Sequence, residues 1–358
     1  MSIKIPVKNI PYIFFYAWNK YNEGNTLLRN INYDDAPNVP NLFAKLLIYH
    51  LNRLIKRGLY KDYVSTSEES NFIKGKINFP LSINNNFQQK LKMFCEFDEM
   101  SIDSIPNKII KKTLLNLLSS EYQFNNKERI KPILRHFEEC KASNNVDHYL
   151  KQLRLNNSNK YYNLTMKLCE FINNPQIPVD GEQKINFEDF EGYFESENMK
   201  QQRGNIFEEF LINFYRIEQD TFKVSGRNYE WKYLESISEG SKSLIPQNEL
   251  DILLEKENHK LIIDAKFYSD PLKGRNNQQK LIPDHLRQIT TYVMNFPLDS
   301  KSNQIDAMLL YAQVDKPIKA DYEFNLNNSK HKILIRSINL NQEWQKIHAD
   351  LITLIQVT

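Results

Sequence analysis

Apolar residues recur at helical spacing in several stretches of the chain. Over residues 41–57, Leu42, Leu46, Leu47 and Leu54 share a face while Lys45, Arg53 and Lys56 fall elsewhere, which predicts a helix. A shorter helix is expected over residues 12–20. Residues 60–66, 71–79 and 90–97 read as strands punctuated by Gly75, Pro80 and the Asn84-Asn85-Asn86 run, and together predict a small antiparallel sheet. Helical spacing returns behind Pro106 with Ile109, Ile110, Leu114, Leu117 and Leu118, and helices are expected to continue to about residue 174.

The run Asn173-Asn174-Pro175-Gln176-Ile177-Pro178 resists helix continuation and is the best domain boundary, giving domains over residues 1–175 and 176–358. Beyond it, Ile206, Phe207, Phe210, Leu211, Phe214 and Ile217 form one apolar helix stripe. Strands are predicted at 250–254 and 260–268, joined by a polar turn, then a helix at 283–296, strands at 306–312 and 332–338, and a closing helix at 341–355. The fold class is mixed α/β: an amino-terminal domain of helices plus a small antiparallel sheet, and a carboxy-terminal domain with the element order of a nuclease core.

Composition narrows the setting. Nine glycines against 21 Phe and 19 Tyr favour packed elements over long flexible linkers. A net charge of +3, from 47 basic and 44 acidic residues, is too small for DNA binding by blanket neutralisation, so any DNA surface must be local or shared with a partner. Cys95, Cys140 and Cys169 lie far apart with no CxxC pair, which argues against a structural zinc site and predicts reduced, packed thiols. No secretory or membrane-spanning pattern is present, and a cytoplasmic protein without membrane contact is expected.

The chemistry concentrates between residues 248 and 266. On a strand, residues two apart share a face, so Asp264 and Lys266 point together while Ile263 and Ala265 point away. If the two strands pair as a hairpin, Asp251 reaches the same end. Two carboxylates suit a hard divalent cation such as Mg²⁺, completed by waters and phosphate oxygens. Lys266 could orient or deprotonate a water, or stabilise the transition state. The candidate catalytic set is therefore Asp251, Asp264 and Lys266, with Asp251 and Asp264 as metal ligands, a PD-(D/E)xK arrangement suited to phosphodiester hydrolysis.

Accessory candidates surround it. Gln288 and Tyr292 lie one turn apart on the predicted helix, where they could contact the site or the DNA backbone. Glu208 is the candidate helix acid, and Lys273, Arg275 and Lys280 sit in a polar loop able to touch phosphates. His136, His148, His259, His285, His331 and His348 lack metal-ligand spacing and read as surface or packing residues. No GxxxxGK[ST] motif is present, so the chain is not expected to hydrolyse nucleotides itself.

Several motifs carry a wider likeness: Ile5-Pro6-Val7-Lys8-Asn9-Ile10, Tyr16-Ala17-Trp18, Ile73-Lys74-Gly75-Lys76-Ile77-Asn78-Phe79, Phe97-Asp98-Glu99 and Asn107-Lys108-Ile109-Ile110-Lys111. They continue with Leu250-Asp251-Ile252, Ile263-Asp264-Ala265-Lys266 and Gln288-Ile289-Thr290-Thr291-Tyr292. Over nearly its full length the chain resembles the McrC family, nuclease subunits of McrBC modification-dependent restriction systems. The resemblance implies a hexameric McrB-like AAA+ GTPase ring as partner, which binds GTP and recognises methylcytosine-containing DNA. It implies an amino-terminal domain that docks on that ring and stimulates its GTPase, and a carboxy-terminal domain that cuts double-stranded DNA with Mg²⁺. Lys74, Lys76 and Arg57 are candidate ring contacts. Two other readings remain: a non-catalytic adaptor that activates an NTPase ring, for which the three catalytic residues have no use, and a stand-alone repair nuclease, which leaves the amino-terminal domain without a role.

Overall fold

The computed structural model describes residues 4–31, 36, 38–84, 92–119, 127–141, 146–173, 184–186, 206–231, 241–267, 272–273, 280–296, 304–313, 316–326 and 329–356. Most of the predicted boundary run, from Asn174 to Pro178, and the loop residue Arg275 lie outside them. The chain forms two compact units, residues 27–31 with 40–175, and residues 1–26 and 32–39 with 176–358.

The chain opens with β1 (Lys4–Pro6), α1 (Ile10–Ala17) and α2 (Tyr21–Leu28). The smaller unit is built from α3 (Val39–Arg57), β2 (Asp62–Ser70), β3 (Lys76–Ile77), α4 (Phe79–Asn84), β4 (Met93–Ser101), α5 (Ile105–Ser119), α6 (Lys127–Arg135), α7 (Val146–Gln152) and α8 (Asn163–Ile172). Its antiparallel sheet has the order β2-β4-β3. The strand expected over residues 71–79 shrinks to Lys76–Ile77, for two local reasons. Gly75 adopts φ +63°, and a Cβ there would lie 2.4 Å from the Glu96 carbonyl oxygen, so the backbone turns where only glycine fits. Asn78 then caps α4, its Oδ1 accepting the Leu81 N–H at 3.1 Å, and Pro80 occupies that helix's first turn. Deeper in this unit, Asn107 is fully buried and fully used. Its Nδ2 donates to the carbonyls of Tyr60 (2.9 Å) and Ile102 (2.8 Å), and its Oδ1 accepts from the Tyr162 hydroxyl (2.8 Å).

The larger unit continues with β5 (Lys184–Asn186), α9 (Ile206–Glu218), β6 (Lys223–Tyr229), β7 (Asn248–Lys256), β8 (His259–Lys266), β9 (Leu272–Lys273), β10 (Lys280–Leu281), α10 (Pro283–Asn295), β11 (Gln304–Ala312), β12 (Ala320–Leu326), β13 (Ser329–Ile338) and α11 (Trp344–Gln356). Its six-stranded mixed sheet runs β12-β13-β11-β8-β7-β6, with β13, β11 and β8 parallel and the other pairings antiparallel. The central β8 and β11 are buried on both faces, as strands covered by helices on both sides must be. On one face Leu253, Ile262, Leu309 and Ile335 pack with Ile289, Val293 and Phe296 from α10 and its end. On the other, α9 brings Phe207 against Phe267 at 5.3 Å between ring centroids. Ile217, expected on the buried stripe of α9, is 37% exposed; Tyr215 is buried instead and donates to the Leu351 carbonyl of α11 at 3.2 Å.

The first 26 residues correct the expected division, because they belong to the larger unit. The reason lies in α1, where Ile10, Ile13, Phe14, Phe15 and Tyr16 are all essentially inaccessible. A helix this apolar needs cover on nearly every side, and α9 and α11 supply it. Tyr16 packs edge-on against Phe210 and Phe214, its hydroxyl donating to Glu218 at 2.5 Å, and Tyr12 stacks on Trp344 at 4.5 Å. Asn9 donates to the carbonyls of Leu340 and Gln342, and β1 pairs with β5. The Ile5–Ile10 motif is thus an architectural part of the unit that holds the candidate site.

At the end of the sheet remote from that site, Asp306 is fully buried. It accepts from the Lys332 N–H (2.7 Å), pairs with His259 Nε2 (2.9 Å), and so ties together the starts of β11, β13 and β8. Burial raises its pKa, but hydrogen bonds from His259 and Lys332 outweigh that and hold the carboxyl below its ordinary range. His259, His285 and His331 are accordingly buried packing residues. Among the described residues, no helix is long and apolar enough to cross a membrane.

Candidate active site

The site grows from the β7–β8 hairpin, whose turn tightens to Glu257 and Asn258 because Lys256 already pairs with His259. The register runs from there to Ile252 opposite Ile263, and Asp251 and Asp264 are the next residues on the two strands. Asp251 Oδ2 accepts the main-chain N–H of Ala265 at 2.8 Å, so the side chain bridges to the neighbouring strand. Asp264 is fully buried; Lys266 Nζ lies 2.8 Å from its Oδ2, yet neither carboxylate oxygen receives a well-directed hydrogen bond. Lys266 is 11% exposed and donates to Gln288 Oε1 at 2.9 Å, and Gln288 Nε2 donates to the Tyr292 hydroxyl at 2.8 Å. Asp251, Asp264, Lys266, Gln288 and Tyr292 therefore converge on one face at one end of the sheet.

Burial and like charge dominate the electrostatics of this cluster. Burial, the Asp264 charge and the Glu208 charge together push the Asp251 carboxyl well above its ordinary range, against the Ala265 hydrogen bond and Lys266. Burial also raises Asp264, with Lys266 opposing. Buried carboxylates carry a desolvation cost that a divalent ion would offset. Among the described residues no three His, Cys, Asp or Glu side chains close on a common point. The chain's share would thus be two carboxylates, with waters, a main-chain carbonyl and substrate oxygens filling the remaining positions.

The remaining candidates are less closely engaged. Glu208 is half-buried in the first turn of α9 and acts on Asp251 through its charge. Lys273 lies in β9, paired with Lys280 of β10, and the Lys280 side chain is exposed. Arg275 lies outside the described residues. One contributor had no signal in the sequence: Tyr229 donates its hydroxyl to the Tyr292 carbonyl at 3.0 Å and so fixes α10 over the site from the edge strand β6.

Residues 13–312 match the family described as McrBC 5-methylcytosine restriction system component. The chain belongs to that family. As an McrBC-family protein it is 28% identical over 354 residues to the Escherichia coli (strain K12) type IV methyl-directed restriction enzyme EcoKMcrBC, covering 97% of this chain and 96% of the relative. Its fold is similar to that of the Thermococcus gammatolerans half-complex of McrB AAA+ hexamers with bound McrC, with a TM-score of 0.55 at 14% identity, covering 97% of this chain and 76% of that one. The mixed α/β architecture of the McrBC-family chain and the placement of its paired carboxylates are therefore described on a restriction-system component.

Proposed function

We propose that the larger unit is a Mg²⁺-dependent DNA endonuclease and that the smaller unit docks on a McrB-like hexameric AAA+ GTPase, which binds the GTP. The observation that carries the nuclease reading is the convergence of Asp251 and Asp264, both desolvated, beside the ammonium of Lys266. A divalent ion held there would lower the pKa of a bound water and offset charge on the scissile phosphate. The chain's own residues do the rest. Asp251 and Asp264 would hold the ion. The Ala265 N–H fixes the Asp251 carboxylate, and Lys266 presents a positive charge where the phosphorane builds negative charge.

For the smaller unit, support comes from apolar side chains left in solvent. Tyr63 and Met100, paired across β2 and β4, are 70% and 54% exposed, and Phe72, Ile73, Phe79 and Ile83 are exposed around β3 and α4. Large apolar side chains left in solvent at both ends of this sheet support an interaction surface. Lys74 is engaged with Glu68 at 2.7 Å and Arg57 lies over the Tyr161 ring at 4.1 Å, so the apolar residues are better ring contacts than those two cations. The substrate proposed is double-stranded DNA carrying methylcytosine, delivered by the partner. Tethering to a motor raises effective concentration, which accommodates the modest +3 net charge.

The test is purification with the partner GTPase and cleavage of methylated and unmodified DNA with Mg²⁺ and GTP. Asp264→Ala should abolish cutting and leave GTPase stimulation intact. Loss of stimulation in a folded variant would overturn the division of labour, and strong GTP-independent cutting by the isolated chain would overturn the coupling.

A further inference from the structure

We infer that Gln288 is a positioning residue for Lys266, held in turn by Tyr292; the inference rests on the endonuclease reading and adds a part to it. An ammonium can only donate, so the group 2.9 Å from Lys266 Nζ must be the amide oxygen of Gln288. The amide nitrogen is then obliged to find an acceptor. The Tyr292 hydroxyl, one helical turn further on, supplies it at 2.8 Å. A reversed amide would set N–H against N–H at Lys266, and the arrangement has one stable sense.

The helix bearing this relay is itself held on both sides of Gln288. His285 Nδ1 lies 2.9 Å from the hydroxyl of Tyr311, which stands beside Lys266 in the β8–β11 register. Tyr229 holds the Tyr292 carbonyl at 3.0 Å. Gln288 is thus a short link between a pinned helix and a long lysine side chain. Lysine carries much rotamer freedom, and a catalytic ammonium displaced by about 1 Å loses much of its effect. Each end of the Gln288 amide is engaged within the protein, its oxygen by Lys266 and its nitrogen by Tyr292.

The test measures single-site cleavage by the full complex, with kcat, KM for DNA and the half-saturating Mg²⁺ concentration. Gln288→Leu should lower kcat by about 10–100-fold, the range for residues that orient an active-site group, with KM, Mg²⁺ dependence, melting temperature and GTPase stimulation unchanged. Gln288→Glu keeps an acceptor on Lys266 and should restore most of kcat. Tyr292→Phe should cost less than Gln288→Leu, and the double variant should be no slower than Gln288→Leu alone, because both act through one group. A loss expressed in KM or in Mg²⁺ dependence, multiplying losses in the double variant, or unchanged kcat would overturn the inference. Should Gln288→Leu fail to fold, the comparison of Gln288→Glu with Tyr292→Phe decides in the same way. Absence of cutting by the wild-type complex removes the endonuclease reading and this inference with it, whereas cutting by the wild type with any of the adverse outcomes removes this inference alone.

Discussion

Asp251 and Ala265 are joined across the hairpin by a 2.8 Å hydrogen bond from the Ala265 N–H to the Asp251 carboxylate. Ala265 is the residue between Asp264 and Lys266, so the bond fixes one acid directly to the backbone that carries the other acid and the lysine. Geometry at the site is therefore set by a side-chain bridge just beyond the last paired residues of the two strands.

Removing charge from this cluster should stabilise the metal-free protein. Both acids have raised pKa values chiefly through burial, so their ionised forms oppose folding. Asp264→Asn should raise the Tm at neutral pH by about 2–4 °C for each kcal/mol of cost relieved. Mg²⁺ should raise the Tm of the wild type and leave the Asn variant unmoved. Differential scanning calorimetry with and without Mg²⁺ checks both; an unchanged or lower Tm for metal-free Asp264→Asn would refute the argument.

The same shifts fix the direction of a pH effect. A carboxyl with a raised folded-state pKa is neutral at low pH and becomes a cost as pH rises through that value, so acid favours the metal-free fold. Metal binding requires the ionised form, and protons and Mg²⁺ compete. The Mg²⁺ concentration for half-maximal cleavage should rise as pH is lowered from about 8 toward about 6, a window chosen to lie above the ordinary carboxylate range. Cleavage titrations at several pH values test this, and a pH-independent Mg²⁺ requirement would contradict it.

Asp306 has the opposite sign. Its pKa is lowered by His259 and Lys332, so its stabilisation is present above the ordinary aspartate value and disappears as pH falls through the folded one. Asp306→Ala leaves the Lys332 N–H and His259 without their acceptor and should cost about 3–5 kcal/mol, the range for breaking a buried pair. Urea unfolding at neutral pH measures it. A cost below 1 kcal/mol (roughly that of an ordinary surface change) would show that the three strand starts are held by other contacts.

Gly75→Ala should damage the smaller unit alone. The φ of +63° costs an L-residue about 1–2 kcal/mol, and the close approach to the Glu96 carbonyl adds to it. The expected result is weaker GTPase stimulation with the larger unit's fold intact. Limited proteolysis and a GTPase assay distinguish this from a variant that behaves as wild type.

How much of this was legible in the sequence depends on the kind of signal. Asp264 and Lys266 could be placed on one face because strand periodicity is strict, and Gln288 with Tyr292 because one helical turn separates them. The bond from Ala265 to Asp251 had no signature, since it depends on a backbone group. Strands β6 and β12 were not foreseen: both lie at sheet edges, where little apolar surface is buried, and β6 carries Gly226 among polar residues. The third strand of the small sheet was overestimated because Pro80 marks a helix start as readily as a strand end. The grouping of α1 with the larger unit depends on Tyr12, Tyr16 and Asn9 meeting residues more than two hundred positions away, which local patterning does not report.

That grouping changes how the chain can be divided. Because β1 and α1 precede the smaller unit and fold with residues 176–358, the smaller unit is an insertion, and a fragment begun at residue 176 would strip the cover from Phe210, Phe214 and Trp344. A piece that carries the candidate site is to be sought with the first strand and helix kept in place.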